Sequence, residues 1–308
     1  MKAMQLVSTQ EGAGLQPANP PQPAPGPGEV LIQVHAAGVT PPELDWYPTT
    51  HTKSGASRTL AIPGHEFSGV IAALGPGVTE FAFGDAVYGM NDWFQDGATA
   101  DFCLAKTEWI APKPARLTHQ EAATVPISAL TAWQGLLTRA KIKAGDQVLI
   151  HGGSGAVGLF AVQLAHLHGA HVTATASARN AALVRELGAE TVIDYHTERF
   201  EDRVSSMNIV FDTVGGETLE RSWGILKPGG RMVTIASTVE GSTDPRAKEA
   251  FFIVEPNHDQ LVEVGRMLDA GKLCTFVNAI VPFEDAPAAY ASQIADKRGF
   301  GKVVVSVI

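Results

Sequence analysis

Gly153-Ser154-Gly155-Ala156-Val157-Gly158 spell GxGxxG, a spacing with a definite chemical use. The first glycine permits a tight turn, and the second lets backbone N–H groups approach a pyrophosphate. The third lets a helix pack closely on a strand, with the phosphates over the positive helix N-terminus. Such a hexamer is informative only between a strand and a helix. Val148-Leu149-Ile150 is a β-prone run just ahead of it, and Val157, Phe160, Ala161, Leu164 and Ala165 follow at helical spacing. Val172-Thr173-Ala174-Thr175 then completes strand, glycine turn, helix and strand over residues 147–179, the size of one βαβ unit. Gly153, Ser154, Gly155, Ala156, Val157 and Gly158 are therefore expected to face a dinucleotide.

The end of the second strand indicates which dinucleotide. NAD sites place an Asp or Glu about twenty residues past the glycines to hold the ribose 2′-hydroxyl. Here the chain reads Thr175-Ala176-Ser177-Ala178-Arg179-Asn180, with no carboxylate. A hydroxyl at Ser177 and a guanidinium at Arg179 suit a 2′-phosphate, which Arg grips with paired hydrogen bonds. Ser177 also suits a helix cap and Arg179 a solvated first turn; a cap site and an anion site are compatible. The expected cofactor is NADP(H).

The elements that would position these residues alternate. Helix 180–187, strand 191–194, strand 207–212, helix 218–226 and strand 231–236 follow the glycine unit, the last entered through Pro228-Gly229-Gly230. That alternation predicts a parallel, doubly wound sheet with helices on both faces. Helix 261–270, a segment 274–281, helix 284–295 and strand 303–308 finish the chain. Upstream, strands are expected at 4–7, 29–39, 67–74 and 86–90, with a stiff Pro/Gly loop at 17–28 and turns from Thr40 to Leu60. Short strands punctuated by glycine predict a small all-β body, and residues 118–138 read as a helix in two pieces.

Composition narrows the class. At 308 residues, 45% hydrophobic and 18% charged, the chain is an ordinary globular protein with room for two domains. A net charge of −9 argues against nucleic acid or an anionic membrane as partner. No run approaches transmembrane length and 1–7 is too short for a signal peptide, so a cytoplasmic, standalone protein is expected. Two cysteines, Cys103 and Cys274, make neither a disulfide framework nor a Cys-rich zinc site.

With these pieces in order, the chain resembles the medium-chain dehydrogenases/reductases. The landmarks are Ala37-Gly38-Val39, Pro63-Gly64-His65-Glu66-Phe67-Ser68-Gly69-Val70, Gly84-Asp85-Ala86-Val87, Leu130-Thr131-Ala132-Trp133 and Gly153 to Gly158. Phe211-Asp212-Thr213-Val214-Gly215-Gly216 and Gly301-Lys302-Val303-Val304-Val305 complete the set. The resemblance implies an α/β protein: a GroES-like β-rich N-terminal lobe, then a Rossmann doubly wound parallel sheet, with the chain returning to the first lobe at its C-terminus. The domains implied are 1–122 with 274–308, GroES-like and catalytic, and 123–273, binding NADP(H). Within the superfamily it is most similar to the zinc-free, zeta-crystallin-like quinone oxidoreductases, which reduce quinones and conjugated enones with NADPH.

Zinc-dependent relatives carry a ligand Cys after the Gly-Val of the second strand, then His-Glu, then a Cys ahead of the Leu-Thr segment. The first and last of those positions are Thr40 and Ile127 here. His65 and Glu66 alone do not make the usual three-ligand catalytic site, so no metal is expected and His65 reads as a packed residue. For the reduction of a conjugated carbonyl, the resemblance implies a hydrogen-bond donor at Thr40, where relatives often carry Asn, and a proton-relaying phenol at Tyr47. Tyr47, between Trp46 and Pro48, also reads as an aromatic loop anchor, and Trp93 and Phe94 as pocket wall or core. Tyr195 would join Ser177 and Arg179 around the adenosine phosphate. Thr131, Val214, Ile235, Ala236 and Ser237 would approach the nicotinamide, Phe252 and Val254 cover it, and Lys302 assist. The expected substrate is a small apolar quinone or conjugated carbonyl and the expected assembly a homodimer. A zinc-dependent alcohol dehydrogenase with unusual ligation, a non-catalytic NADPH-binding protein and a detached enoyl reductase domain are the competing readings.

Overall fold

The computed structural model describes residues 1–9, 12–236, 241–294 and 298–308. The chain divides into two compact units, Met1–Ile127 with Pro256–Ile308, and Ser128–Glu255. The first begins with β1 (Ala3–Thr9) and β2 (Gly12–Ala18), paired antiparallel. Strand β2 runs into the expected proline loop, with Pro17 opposite Met4. A proline is tolerated there because an edge strand need not donate from every residue.

Then come β3 (Glu29–Gly38), a 3₁₀ segment Pro41–Asp45, α1 (Tyr47–Thr50), β4 (Glu66–Leu74) and β5 (Ala86–Met90). Two strands the pattern did not announce, β6 (Phe102–Lys106) and β7 (Ile110–Pro112), precede the short helix α2 (His119–Ala122). Strand β7 is too short to show alternation. Helix α2 starts on a capping box, in which Thr118 and Glu121 satisfy each other's backbone N–H groups.

Helix α3 (Pro126–Trp133) continues as a π-helical stretch, Gln134–Arg139. Next are β8 (Gln147–His151), α4 (Ala156–Leu167), β9 (His171–Ala176), α5 (Ala181–Glu186), β10 (Thr191–Asp194) and β11 (Met207–Asp212). Helix α6 (Gly216–Ser222), strand β12 (Leu226–Thr234) and α7 (Pro245–Ala250) complete the second unit. Its described strands are all parallel, in the order β10-β9-β8-β11-β12. This is the Rossmann order, in which the chain reverses direction across the sheet between its first and fourth strands.

Two boundaries here differ from expectation. Helix α6 starts earlier, at Gly216, and passes through a 3₁₀ turn, Trp223–Ile225, before Leu226 enters the sheet. Strand β12 spans Pro228-Gly229-Gly230 instead of starting after it: its pairing jumps from Met207↔Leu226 to Ile209↔Arg231. The intervening residues bulge out, with Gly229 at φ 75°, the left-handed geometry that glycine adopts without strain.

The chain re-enters the first unit through α8 (His258–Asp269), β13 (Val277–Pro282), α9 (Ala286–Tyr290) and β14 (Lys302–Ser306). The helix expected over 284–295 is only α9 plus a 3₁₀ turn, because Ser292 takes φ 58° and ends it; Ala295 lies outside the described residues. The larger sheet runs β13-β14-β3-β4-β5-β7, with β6 pairing β3. Its core gathers Val30, Ile32 and Val34 of β3 with Phe67, Ile71, Val87 and Val305.

Within that sheet Gly38 is a crossing point. It lies between Glu66 on β4 and the β14 strand, and the Glu66 side chain passes over it. A Cβ at Gly38 would sit 2.6 Å from both Cγ and Oε1 of Glu66, and 2.7 Å from the Ala123 carbonyl oxygen. Real Cβ atoms do not come so close, so alanine must displace backbone. Gly38→Ala is expected to destabilise the protein by roughly 2 kcal/mol or more, measured by denaturant unfolding; a change inside about 0.5 kcal/mol would show that β3 yields freely.

Candidate active site

The glycine turn sits where β8 ends and α4 begins. It starts one residue before the GxGxxG hexamer: Gly152, not Gly153, carries the left-handed φ of 74°. The doubled glycine at 152–153 was the available signal. Gly153 donates to Thr175 O at 2.8 Å and packs where a Cβ would meet Ala174 Cβ at 2.9 Å. At Gly158 a Cβ would lie 2.1 Å from Gly152 O, so only glycine lets α4 close onto the turn. Gly155 is the N-cap of α4 and no side chain caps it, which leaves the helix's first N–H groups for an anion.

Behind the turn His151 organises a buried chain of hydrogen bonds. Ser222 Oγ donates to Thr218 O at 2.6 Å, so it accepts from His151 Nε2 at 2.9 Å. Nδ1 is then the acceptor for the Thr175 hydroxyl at 3.3 Å, and Thr175 Oγ1 in turn accepts the Gly152 N–H at 3.1 Å. The chain works only with a neutral imidazole, and burial pushes the His151 pKa down to about 4, with Asp212 opposing. Asp212 is itself buried and accepts from Val214 N, Gly215 N and the Thr234 hydroxyl, fixing the loop after β11.

The sequence-assigned cofactor residues divide by element. Ser177 follows β9 directly and is buried, with no capping bond from its hydroxyl, while Arg179 is exposed in the following turn. Asn180 Nδ2 donates to Ser154 Oγ at 3.1 Å and ties this end of β9 to the glycine turn. Tyr195, 58% exposed, leans on His196 past the end of β10. Val214 is exposed, and Ile235 and Ala236 follow β12, their N–H groups bonded to Asp212 O and Thr234 Oγ1. Ser237 lies outside the described residues. Thr131 is buried on α3. Phe252 and Val254 are also buried, and the side chain of that run that faces out is Ile253. Period-two alternation along the run would have singled it out.

In the first unit a buried carboxylate is the hub. Glu43 accepts from Gly64 N at 2.6 Å and pairs with His65 Nδ1 at 3.2 Å, while His65 Nε2 faces Gln95 O at 3.3 Å. Both imidazole nitrogens are thus occupied. Glu66 Oε2 accepts the Ile127 N–H at 3.0 Å, and Oε1 forms an ion pair with Lys302. Burial pulls the Lys302 pKa down to about 7, with the Glu43 carboxylate opposing. Lys302 is therefore buried on β14 against Glu66. Lys302, far in sequence from Thr40 and Glu43, comes near them because β14 lies next to β3: Val39 N donates to Val303 O at 3.0 Å.

The Thr40 hydroxyl is buried with no hydrogen-bond partner among the described residues. Tyr47 is 53% exposed, its ring stacked on His51 at 4.3 Å. Trp93 sits 5.0 Å from the His65 ring and 5.2 Å, edge-on, from Trp46. The residues that the zinc pattern requires are not thiolates at Thr40 or Ile127, and His65 and Glu66 are engaged elsewhere. Among the described residues no three His, Cys, Asp or Glu side chains gather to hold a metal ion. The donor set does not fit a metal.

Comparison with known proteins agrees with this anatomy. The model of the alcohol dehydrogenase GroES-like domain matches residues 26–135, and that of the zinc-binding dehydrogenase matches 187–305. A probable zinc-binding oxidoreductase of Arthroderma benhamiae is 33% identical, over 94% of this chain and 92% of its own. The NADPH-dependent alkenal/one oxidoreductase of Arabidopsis thaliana is 32% identical, over 90% of this chain and 72% of its own. The solved quinone oxidoreductase of Coxiella burnetii superposes with a TM-score of 0.87 at 29% identity, covering 100% of this chain and 99% of that one. The chain belongs to the medium-chain dehydrogenase/reductase superfamily, with a GroES-like domain and a Rossmann-type parallel sheet, and is an oxidoreductase.

The His151 network makes a pH prediction. Its folded pKa, about 4, lies below the ordinary 6.5, so the unfolded chain takes up the proton first and stability is lost as pH falls through that window. A gap of about 2.5 pH units corresponds to roughly 3 kcal/mol at most. His151→Asn is expected to lower the melting temperature at pH 7 and to flatten its decline between about pH 6.5 and 4. An unchanged decline would place the acid sensitivity elsewhere.

Proposed function

We propose that the chain is an NADPH-dependent reductase of quinones or α,β-unsaturated carbonyls that transfers hydride without a metal. The observation that carries this reading is the state of the would-be metal positions: Thr40 and Ile127 offer no thiolate, and His65 and Glu66 are held by Glu43 and Lys302. Without a Lewis acid a simple alcohol is a poor substrate, whereas a conjugated carbonyl needs only hydrogen bonds to the oxygen on which charge develops. The names of the Arabidopsis and Coxiella relatives support the same acceptors, and the former supports NADPH.

NADPH at the glycine turn supplies the hydride. The chain's own part is to hold and orient. Gly153, Gly155 and Gly158 leave backbone and helix N-terminus open to the pyrophosphate, and Ser177, Arg179 and Tyr195 are assigned to the adenosine phosphate. We assign Thr131, Val214, Ile235, Ala236, Phe252 and Val254 to the nicotinamide end of the cofactor domain expected over 123–273, of which Ser128–Glu255 form the compact unit and 256–273 pack with the first unit. The Thr40 hydroxyl is assigned as donor to the substrate oxygen, and the exposed Tyr47 phenol or water as the proton source. Lys302 is assigned to orient Glu66 and the strand end bearing Thr40. Strand β12 at the edge of its sheet supports a dimer paired across that edge. No helix among the described residues is long and apolar enough to cross a membrane, which accords with a cytoplasmic enzyme.

The test is NADPH oxidation against a quinone, a conjugated enone and a simple aldehyde, with NADH and chelator alongside. Turnover of quinone or enone, preferring NADPH and indifferent to chelator, is expected; aldehyde turnover abolished by chelator would overturn the reading. Arg179→Ala is expected to raise the KM for NADPH about 10- to 100-fold with that for NADH nearly unchanged. An equal rise for both would remove Arg179 from the 2′-phosphate.

A further inference from the structure

Helix α3 widens where it crosses β11. From Gln134 to Arg139 it is π-helical, and Ala140 N donates to Gly135 O at 2.9 Å. Such stretches are rare and concentrate at functional sites. This one is held firmly from below. A Cβ at Gly135 would lie 2.1 Å from Phe211 Cε2, so the helix backbone rests directly on a β11 side chain. Just past its end, Arg231 of β12 donates to Lys141 O at 3.1 Å and to Ala140 O. The stretch is thus a fixed base, and what it grips is the segment 251–255.

That segment follows α7 and is neither helix nor strand; a single parallel bridge joins Phe251 to Thr234 at the end of β12. Phe252 N donates to Thr234 O at 3.3 Å. At the other end Gln134 takes over. Its Nε2 donates to Glu255 O at 2.7 Å, and its Oε1 accepts the Glu255 N–H at 3.1 Å. One side-chain amide thus satisfies both backbone groups of a residue, as a neighbouring strand would. The Arg139 guanidinium lies 4.8 Å over the Phe252 ring, so the π-helical stretch holds the segment at both ends. Between these grips burial alternates: Phe252 and Val254 face in, and Ile253 faces out, 51% exposed.

In a sheet of this order ligands bind beyond the carboxyl ends of the strands. The ends of β8, β11 and β12 are tied side by side. Thr213 Oγ1 donates to His151 O at 2.8 Å, next to the glycine turn, and Ile235 N donates to Asp212 O at 3.1 Å. The bond from Phe252 to Thr234 continues the row, which brings Ile253 to the carboxyl end of β12. We propose that Gln134 is a positioning residue: its amide clamps Glu255 so that Ile253 is presented to the nicotinamide half of NADPH, and it does so without touching the cofactor. This rests on the cofactor assignment in the reading above. A loose segment would have to be ordered each time the cofactor binds, whereas a clamped one is ordered beforehand.

The experiment titrates wild type, Gln134→Met and Ile253→Ala with NADPH and with adenosine 2′,5′-bisphosphate, which has the adenosine and the 2′-phosphate but no nicotinamide. Methionine keeps the length of the side chain and loses both hydrogen bonds. Gln134→Met is expected to weaken NADPH about 10-fold and leave the bisphosphate within about 2-fold. At saturating NADPH it lowers kcat with 1,4-naphthoquinone about 10-fold. Ile253→Ala gives the same split of affinities, and the double variant little beyond it, because the clamp acts through that side chain. Without cofactor, the Glu255 amide of Gln134→Met exchanges with solvent about 10-fold faster or more, while the Ile150 and Phe211 amides are unchanged. Equal weakening of both ligands, weakening of neither, or full additivity in the double variant would overturn the proposal. A wild type that binds NADPH yet reduces neither quinone nor enone loses the reductase reading, and the paired titrations still decide the clamp. A wild type that binds neither ligand overturns both.

Discussion

The first unit depends on one buried charge, the carboxylate of Glu43. An ionised carboxylate away from water is tolerable only when its oxygens are hydrogen-bonded. Here a backbone N–H, an imidazole and the Tyr290 phenol do so, and burial with Glu43 alongside raises the Tyr290 pKa well above its usual value. Those partners come from the loop before β4, which carries both Gly64 and His65, and from α9, near the other end of the chain. One side chain therefore fixes the His65 ring, and with it the neighbourhood of the Trp93 ring tilted against it. Removing the carboxylate would cost more than one contact, since each partner would then be buried alone.

The second pair, Glu66 with Lys302, shows how a glycine is used for space rather than for turning. Gly38 has no unusual φ, yet a Cβ there would collide with Glu66. Its absence lets a β4 side chain cross the middle strand and meet a cation on β14. The same logic governs Gly158, whose missing side chain lets α4 close on the turn at β8. In both places backbone approach, and not chain flexibility, decides the residue.

A metal-dependent oxidoreductase and a metal-free one can share this framework because the ligand positions are only side chains on a common scaffold. With Thr40 and Ile127 in place of thiolates, the remaining His-Glu pair is absorbed into hydrogen bonding. Among the described residues the Thr40 hydroxyl and the Trp46 indole N–H are buried without a hydrogen-bond partner.

The glycine hexamer, its flanking strand and helix and the missing acidic residue at the end of β9 were legible in the sequence, because they depend on neighbours within about thirty residues. The alternation that makes the parallel sheet was legible for the same reason. Local pattern failed where a long-range contact overrode it. Pro17 is accepted by an edge, Pro228-Gly229-Gly230 is carried as a bulge by pairing with β11, and the last helix is cut short at Ser292. Strands β6 and β7 exist because β3 and β5 offer them partners. The sequence by itself determined the glycine turn and the lack of thiolates at Thr40 and Ile127, since both follow from residue type and spacing. Only the tertiary structure decided that Glu43, His65, Glu66 and Lys302 form one buried set, and that the buried Trp46 indole N–H is left without a partner among the described residues. Those facts depend on which strands lie side by side, and sequence distance carries no record of that.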